Sequence, residues 1–338
     1  MTSLTKDFFI GLSNNRLLNA NAKKWGFRLG AEKFVAGTTM ESVIDTLKEL
    51  NSRGISGTLD NLGEFVSDKS EASLAKTEII RILEKINEYN LDCHVSVKLT
   101  QLGLDIDQEF CIGNMKEILD TADAYNIFIN IDMEKYIHYS KTLEILKNLR
   151  NEYKNVGTVI QSYLYRAEKD LKQLRDVRLR LVKGAYKESD EVAFYSKEEI
   201  DRNFIKLAKN RLLGDAFTSI ATHDHNIIEE LKGFVKKNNI SKDKFEFQML
   251  YGFRTEMHDE LAEEGYNFCT YIPFGDDWFG YFMRRLAERP QNMNLVVKDI
   301  IYGKNNKIKK EPIILGTLAV TSVLVWKKKR NKKDKVIS

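Results

Sequence analysis

Residues 156–186 read VGTVIQSYLYRAEKDLKQLRDVRLRLVKGAY. Two β-rich runs, Val156–Leu164 and Leu179–Tyr186, flank a polar stretch of helical texture. The alternation extends in both directions. Further runs fall at Gly54–Gly63, Cys93–Leu99, Ile127–Met133, Thr218–His223, Phe245–Tyr251 and Phe268–Ile272, which makes eight. Between them the chain is amphipathic with helical period, as in Ala75–Tyr89, where Ile79, Ile82, Leu83 and Ile86 share a face. Eight β-then-α units in roughly 240 residues have the size and rhythm of a (β/α)8 TIM-type barrel. A doubly wound open sheet is the rival. It usually has fewer strands, and no glycine-rich GxGxxG opens the first helix here.

Composition agrees with a large soluble fold. Of 338 residues, 43% are hydrophobic and 30% charged, enough for a sizeable core and incompatible with wholesale disorder or a polytopic membrane protein. The three prolines stand at 273, 290 and 312, so no proline interrupts a helix before residue 273. Cys93, Cys111 and Cys269 are far apart and form no CxxC, which argues against disulfides and a cysteine-rich zinc site and fits a reducing compartment. The first thirty residues carry Lys6, Asp7 and Arg16 and no long apolar run, so no secretory signal is expected. Net charge is +4, but residues 304–338 hold eleven Lys/Arg against Glu311 and Asp334, a net of +9. Taking that tail away leaves −5 for the first 303 residues, and no nucleic-acid partner is expected for an acidic body. Residues 1–50 read as helical, with Phe8–Leu18 and Met40–Leu50, and are expected to form an N-terminal arm packed on a barrel domain spanning 51–303.

A barrel places reactive residues at the C-terminal ends of its strands. Polar residues stand there in seven consecutive units: Ser96 and Lys98, Asn130 and Asp132, Gln161 and Tyr163, Arg180 with Lys183–Tyr186, Thr222–Asp224, Gln248, and Tyr271. Members of each pair two apart face the same way. Lys98 and Asp132 are opposite charges on neighbouring strand ends, costly there unless paired or used, and a structural ion pair fits them equally well. After the last strand, Tyr281, Arg284 and Arg285 share a helix face, where two guanidiniums can grip one carboxylate; the plain alternative is surface arginines paired with Glu288. The His223-Asp224-His225 triplet offers an HxH for a metal, but His94, His138 and His258 give no evident completion, and no metal is expected. Lys183 can form a Schiff base if desolvated. Gly184 and Ala185 beside it would instead let a flat ligand or a phosphate approach the backbone.

Taken together, Arg180-Leu181-Val182-Lys183-Gly184-Ala185-Tyr186, Ala221-Thr222-His223, Phe245-Glu246-Phe247-Gln248-Met249-Leu250-Tyr251-Gly252 and Tyr281-Phe282-Met283-Arg284-Arg285-Leu286 resemble proline dehydrogenase, in its short monofunctional bacterial form. The resemblance covers about residues 50–295. It implies a distorted (β/α)8 barrel that binds FAD non-covalently, oxidises L-proline to Δ1-pyrroline-5-carboxylate and passes electrons to a membrane quinone. Carried over by motif, Arg284, Arg285 and Lys98 would hold the proline carboxylate, with Asp132 fixing Lys98. Leu250 and Tyr271 would wall the pyrrolidine ring, and Tyr281 would close over it. Arg180 would bond the flavin ring near its reactive nitrogen. Met133, Gln161, Lys183, Gly184, Ala185, Thr222 and His223 would hold FAD. The family often has Asn after the histidine; this chain has Asp224. Two readings compete: a metal-dependent barrel hydrolase built on His223 and His225, and a non-redox scaffold.

Pro312–Trp326 is fifteen uncharged, mostly apolar residues, preceded by Lys309 and Lys310 and followed by Lys327-Lys328-Lys329-Arg330. As a helix it would reach about 22 Å, short of the ~30 Å hydrocarbon core. The expected arrangement is a cytoplasmic catalytic domain whose tail inserts partly or lies on anionic lipid. A soluble cytoplasmic protein with a disordered lysine-rich end is the alternative.

Overall fold

The computed structural model describes residues 11–13, 31–63 and 66–288. The readings of most of Phe8–Leu18 and of the tail at 304–338 lie outside the described residues. Eight strands run as β1 Ser56–Asn61, β2 Cys93–Val97, β3 Ile129–Ile131, β4 Val156–Gln161, β5 Leu179–Val182, β6 Thr218–Ala221, β7 Phe245–Leu250 and β8 Asn267–Phe274. Each pairs in parallel with the next in sequence, and β8 pairs with β1, so the barrel is closed. Helix α1, Met40–Ser52, precedes β1. Helices α2 Lys69–Glu88, α3 Gln108–Ala124, α4 Tyr136–Leu149, α5 Ala167–Gln173, α6 Lys197–Leu212, α7 His225–Lys237 and α8 Thr255–Glu263 connect the strands, and α9 Trp278–Glu288 follows β8. None of the described helices is long and apolar enough to cross a membrane.

Local chemistry fixes the helix ends. Asp68 and Asp107 cap α2 and α3 by accepting from Glu71 N at 2.9 Å and Phe110 N at 3.1 Å. Ser196 and Glu199 form a reciprocal cap on α6: Ser196 Oγ accepts from Glu199 N at 3.2 Å and donates to Glu199 Oε2 at 2.6 Å. Just past α2, α3 and α7, Asn90, Asn126 and Asn239 take φ of 49°, 55° and 51°. Asparagine tolerates this left-handed conformation better than most residues, and it turns the chain toward the next strand.

The outer faces of the strands carry Leu59, Val95, Val97, Ile129, Ile131, Leu181, Ile220 and Phe247, all buried in one core with the helices. Helix α1 belongs to that core through Val43, Ile44, Leu47 and Leu50. The Leu47 side chain fills the space a Cβ on Gly57 would occupy. The last helix packs elsewhere. Trp278, Phe279, Tyr281, Phe282 and Met283 of α9 form a second cluster with Ala31, Phe34, Val35, Leu62 and Phe253. Phe34 is its hub, 5.1 Å from the Phe253 ring and 5.9 Å from Phe282. Leu62 follows β1 and Phe253 follows β7, so this cluster holds α9 at the C-terminal mouth of the barrel.

Strands four, five and six are shorter than the sequence predicts. They stop at Gln161, Val182 and Ala221, which puts Tyr163, Lys183–Tyr186 and Thr222–His223 in the loops beyond. Lys183 is therefore not a strand residue. Gly184 has φ +117°, a conformation outside the strand region, and it turns the chain away from the ladder.

Candidate active site at the barrel mouth

The lumen of the barrel is polar. Arg180 on β5 is buried, and its side chain reaches four other strands or their ends. Nε donates to Gln248 Oε1 at 2.6 Å, one Nη to Asp132 Oδ1 at 2.8 Å, and the other to Ser96 Oγ at 2.9 Å and Thr58 Oγ1 at 3.3 Å. Only a side chain lying across the lumen can do this. Gln248 in turn donates through Nε2 to Glu246 Oε1 at 2.6 Å, where Ser219 Oγ also donates at 2.6 Å. A buried relay thus runs from Glu246 through Gln248 and Arg180 to Asp132. Each link fixes the next, including which way the Gln248 amide faces.

A second group sits beside it. Lys98 Nζ donates to Asp60 Oδ1 at 2.6 Å and lies 3.7 Å from Asp132 Oδ2. The expected Lys98–Asp132 pairing is present, but Asp60 on β1 is the closer partner. The Tyr271 hydroxyl lies 2.6 Å from Asp60 Oδ2 and 2.9 Å from Asp132 Oδ2. The Arg180 guanidinium stands over the Tyr271 ring, 5.0 Å from its centroid. Burial pushes the Asp60 carboxyl above the usual range; Lys98 opposes this and Asp132 adds to it. Burial, then the two carboxylates, raise the Tyr271 phenol well above its ordinary value. One hydroxyl proton faces two carboxylate oxygens. A second proton on Asp60 would complete the pattern, with Asp60 donating to Tyr271 and Tyr271 to Asp132.

The rim carries the remaining candidates. Gln161 Nε2 donates to the carbonyls of Met133 and Glu134, both at 3.2 Å. Its Oε1 is buried without a partner among the described residues, as are Ser162 Oγ and Tyr163 OH next to it. Three such atoms in a row at the end of β4 suit a bound polar molecule better than a finished protein interior. A Cβ on Gly184 would stand 2.2 Å from the Tyr163 ring, so the loop from Lys183 to Ala185 lies flat over that ring only because residue 184 has no side chain. Lys183 pairs with Asp201, and Asp224 Oδ2 is 3.6 Å away. Its ammonium is thus engaged by two carboxylates and lies in a loop, which leaves the Schiff-base reading without support. Thr222 Oγ1 accepts from Asp224 N at 3.1 Å, and His223 Nε2 accepts from Leu250 N at 3.0 Å. His223 lies in a loop and His225 is exposed at the start of α7, so the two do not share a strand face as the HxH reading requires. On α9, Arg285 stands over the Tyr281 ring at 5.0 Å, and Arg284 and Arg285 are both half-buried. Leu250 packs against the same mouth cluster as Tyr281.

These residues fit a flavin by the chemistry of the set: a buried acceptor at Gln161 and one N–H on Arg180 that have no partner among the described residues, and a loop without a side chain at Gly184. The sequence model of the proline dehydrogenase family matches residues 43–298. The chain belongs to the proline dehydrogenase family. It is 47% identical over 297 residues to proline dehydrogenase 2 of Bacillus subtilis (strain 168), covering 87% of this chain and 98% of that relative. Against the proline dehydrogenase of Deinococcus radiodurans it is 40% identical over 291 residues, 84% of this chain and 93% of the relative. Among solved structures, proline utilization A from Bdellovibrio bacteriovorus inactivated by N-propargylglycine superposes with a TM-score of 0.71 at 26% identity, over 76% of this chain and 32% of that one. The present chain therefore spans about a third of that longer protein. As a proline dehydrogenase it is an oxidoreductase acting on proline, the first step of proline catabolism. The hydrolase and scaffold readings fall with that assignment.

Sequence reasoning missed Asp60 and the part played by Gln248. A lone acid two residues after Thr58, the one charged residue in the run Gly54–Gly63, was the available signal for Asp60. Gln248 was visible as a polar strand end, but its partners lie on β5 and within its own strand, and only the closed barrel brings Arg180 to it.

Proposed function

We propose that the chain oxidises L-proline to Δ1-pyrroline-5-carboxylate with non-covalently bound FAD and delivers the electrons to a membrane quinone. The observation that carries this reading is the mouth cluster of Lys98, Asp132, Arg180 and Tyr271, at the barrel pole where chemistry resides. FAD, when bound, supplies the acceptor for the hydride from proline. Lys98, Arg284 and Arg285 take the carboxylate through charge-assisted bonds, while Leu250 and Tyr271 wall the ring and Tyr281 closes over it. Asp132 holds Lys98 and Arg180 in place. Arg180 has four hydrogen bonds within the lumen, and a remaining N–H would be its donor to the cofactor ring. Met133, Gln161, Lys183, Gly184, Ala185, Thr222 and His223 hold FAD, and Asp224 steadies the loop at 222. The proline amine must lose a proton before the hydride leaves, so the rate rises with pH through the bound amine's pKa. Asp60 and Tyr271 form a place beside the substrate where a proton can be held.

Residues 51–303 form the catalytic unit in this reading, behind the arm at 1–50. Residues 304–338, with the apolar segment 312–326, rest on anionic lipid at the cytoplasmic face, near the quinone. Deleting 304–338 should move the protein out of the membrane fraction; unchanged recovery there removes the tail from the proposal and returns the soluble cytoplasmic alternative. The decisive experiment is the visible spectrum of the purified protein before and after anaerobic L-proline. Flavin bands that bleach with proline support cofactor and substrate together. A colourless protein that FAD does not reconstitute overturns the reading.

A further inference from the structure

A cavity of about 350 Å³ opens at the N-terminal pole of the barrel, opposite the mouth. Its polar lining includes Ser56, Asp92, His94, Asn126, Arg178 and Glu246. The half-buried arginine there, Arg178, differs from the buried arginines Arg180 and Arg211. Arg180 is held by four hydrogen bonds, and Arg211 donates to Thr218 Oγ1 and to four backbone carbonyls. The Arg178 guanidinium has no acceptor among the described residues, although its Nε is buried. What fixes it is aromatic: it stands 4.2 Å from the Phe128 centroid and 4.6 Å from that of Phe217. Two rings, one just before β3 and one just before β6, hold the guanidinium and leave its hydrogen-bonding edge to the cavity.

The floor is made of buried polar groups. His94 is 7% exposed and Glu246 4%. Burial, with Arg178 and Arg180 nearby, pushes the His94 imidazole well below its usual pKa, so it stays neutral. Glu246 Oε1 is taken by Ser219 and Gln248, and Oε2 has no hydrogen-bond partner among the described residues. Asp92 is exposed at the entrance. One cavity thus offers an uncommitted fork of donors and two carboxylates. Asp92 and Glu246 would repel a simple anion, and Arg178 would repel a simple cation. A small molecule that carries both charges satisfies both sets.

We propose that this cavity is a binding site for a small zwitterionic amino acid, its carboxylate on Arg178 and its ammonium toward Glu246 and Asp92. The cavity is at the small end of ligand sites, which suits a molecule of that size. The site is separate from the mouth and does not rest on the roles assigned there.

Glycine is the probe, with acetate and methylammonium as its two halves. Binding is read by saturation-transfer NMR on the full-length, cofactor-loaded protein and on its Arg284→Ala variant, in which the mouth clamp is weakened. Both should bind glycine equally, and each half should bind about ten-fold more weakly or worse, the worth of one lost charge-assisted contact. Arg178→Met should lose glycine by a similar factor. Arg178→Lys keeps the charge without the fork, and it covers the case in which the methionine variant does not fold; it should weaken glycine binding several-fold. The proposal is overturned if acetate binds as well as glycine, if a folded Arg178 variant binds glycine like the parent, or if Arg284→Ala alone abolishes binding.

Discussion

Replacing Gln248 with glutamate tests the buried relay directly. Gln248 Nε2 lies 2.6 Å from Glu246 Oε1, so Gln248→Glu brings two carboxylates into contact in the lumen. The pair can escape repulsion by keeping one proton. Holding a proton at pH 7 on a group with an ordinary pKa near ~4.3 costs about 3.7 kcal/mol, and at pH 5 about 1 kcal/mol. Attraction to Arg180 offsets part of this, so the expected loss is ~2–4 kcal/mol at pH 7 and ~1 kcal/mol or less at pH 5. The sign follows from linkage. The shared proton raises a carboxyl pKa in the folded state, so its stabilising contribution is full below the unfolded pKa and vanishes as pH rises through the folded one. The double variant Glu246→Gln/Gln248→Glu exchanges the two groups: a carboxylate then faces Arg180 and an amide faces the carboxylate. It should recover to within ~1 kcal/mol of the parent at both pH values. The assay is urea unfolding at pH 5 and pH 7, compared at constant slope, with kcat/KM for proline beside it. Gln248→Glu as stable as the parent at pH 7, or a double variant no better than the single one, would refute the relay.

Asp60→Asn should flatten the pH dependence of stability above the ordinary aspartate pKa, because the raised Asp60 carboxyl contributes stability that is lost as pH rises through its folded pKa; urea midpoints that keep the parent's pH slope would count against the raised Asp60. Gly184→Ala meets both a φ of +117° and the Tyr163 ring, and should cost ~2–4 kcal/mol with weakened flavin retention after gel filtration; full retention and an unchanged melting point would remove the close approach. Arg284→Ala should raise KM for proline at least ~10-fold while flavin stays bound, since one charge-assisted contact is lost; an unchanged KM would take the clamp away.

Much of the barrel is legible because it is written locally. Period-two and period-3.6 patterns mark the strands and helices, and acids or serines before α2, α3 and α6 mark where helices start. The candidate site is legible in part for the same reason: strands are local, and Arg180 and Tyr271 fall within two of them while Lys98 and Asp132 directly follow two others. What escaped is set by closure. Asp60 meets Lys98 and Tyr271 because β1 stands between β2 and β8. No local pattern at residue 60 contains that. The loop ends were overextended because apolar residues such as Leu164 and Ala185 continue past the ladder, while the left-handed turn at Gly184 that ends strand five depends on one glycine.

The pairing of β1 with β8 also has a consequence for synthesis. Asp60 and Tyr271 are 211 residues apart, and β1 registers against β8 from Ser56↔Cys269 to Asn61↔Phe274. A ribosome making about 5–20 residues per second needs on the order of 10–40 s to deliver β8 after β1 has emerged. Throughout that interval β1 has one open edge, and the carboxylate of Asp60 lacks its phenol. The nascent chain therefore carries an unclosed sheet in which α1, made first, is available to cover the outer face of β1 through Leu47. Early helix before early strand shields the strand that must wait longest for its partner.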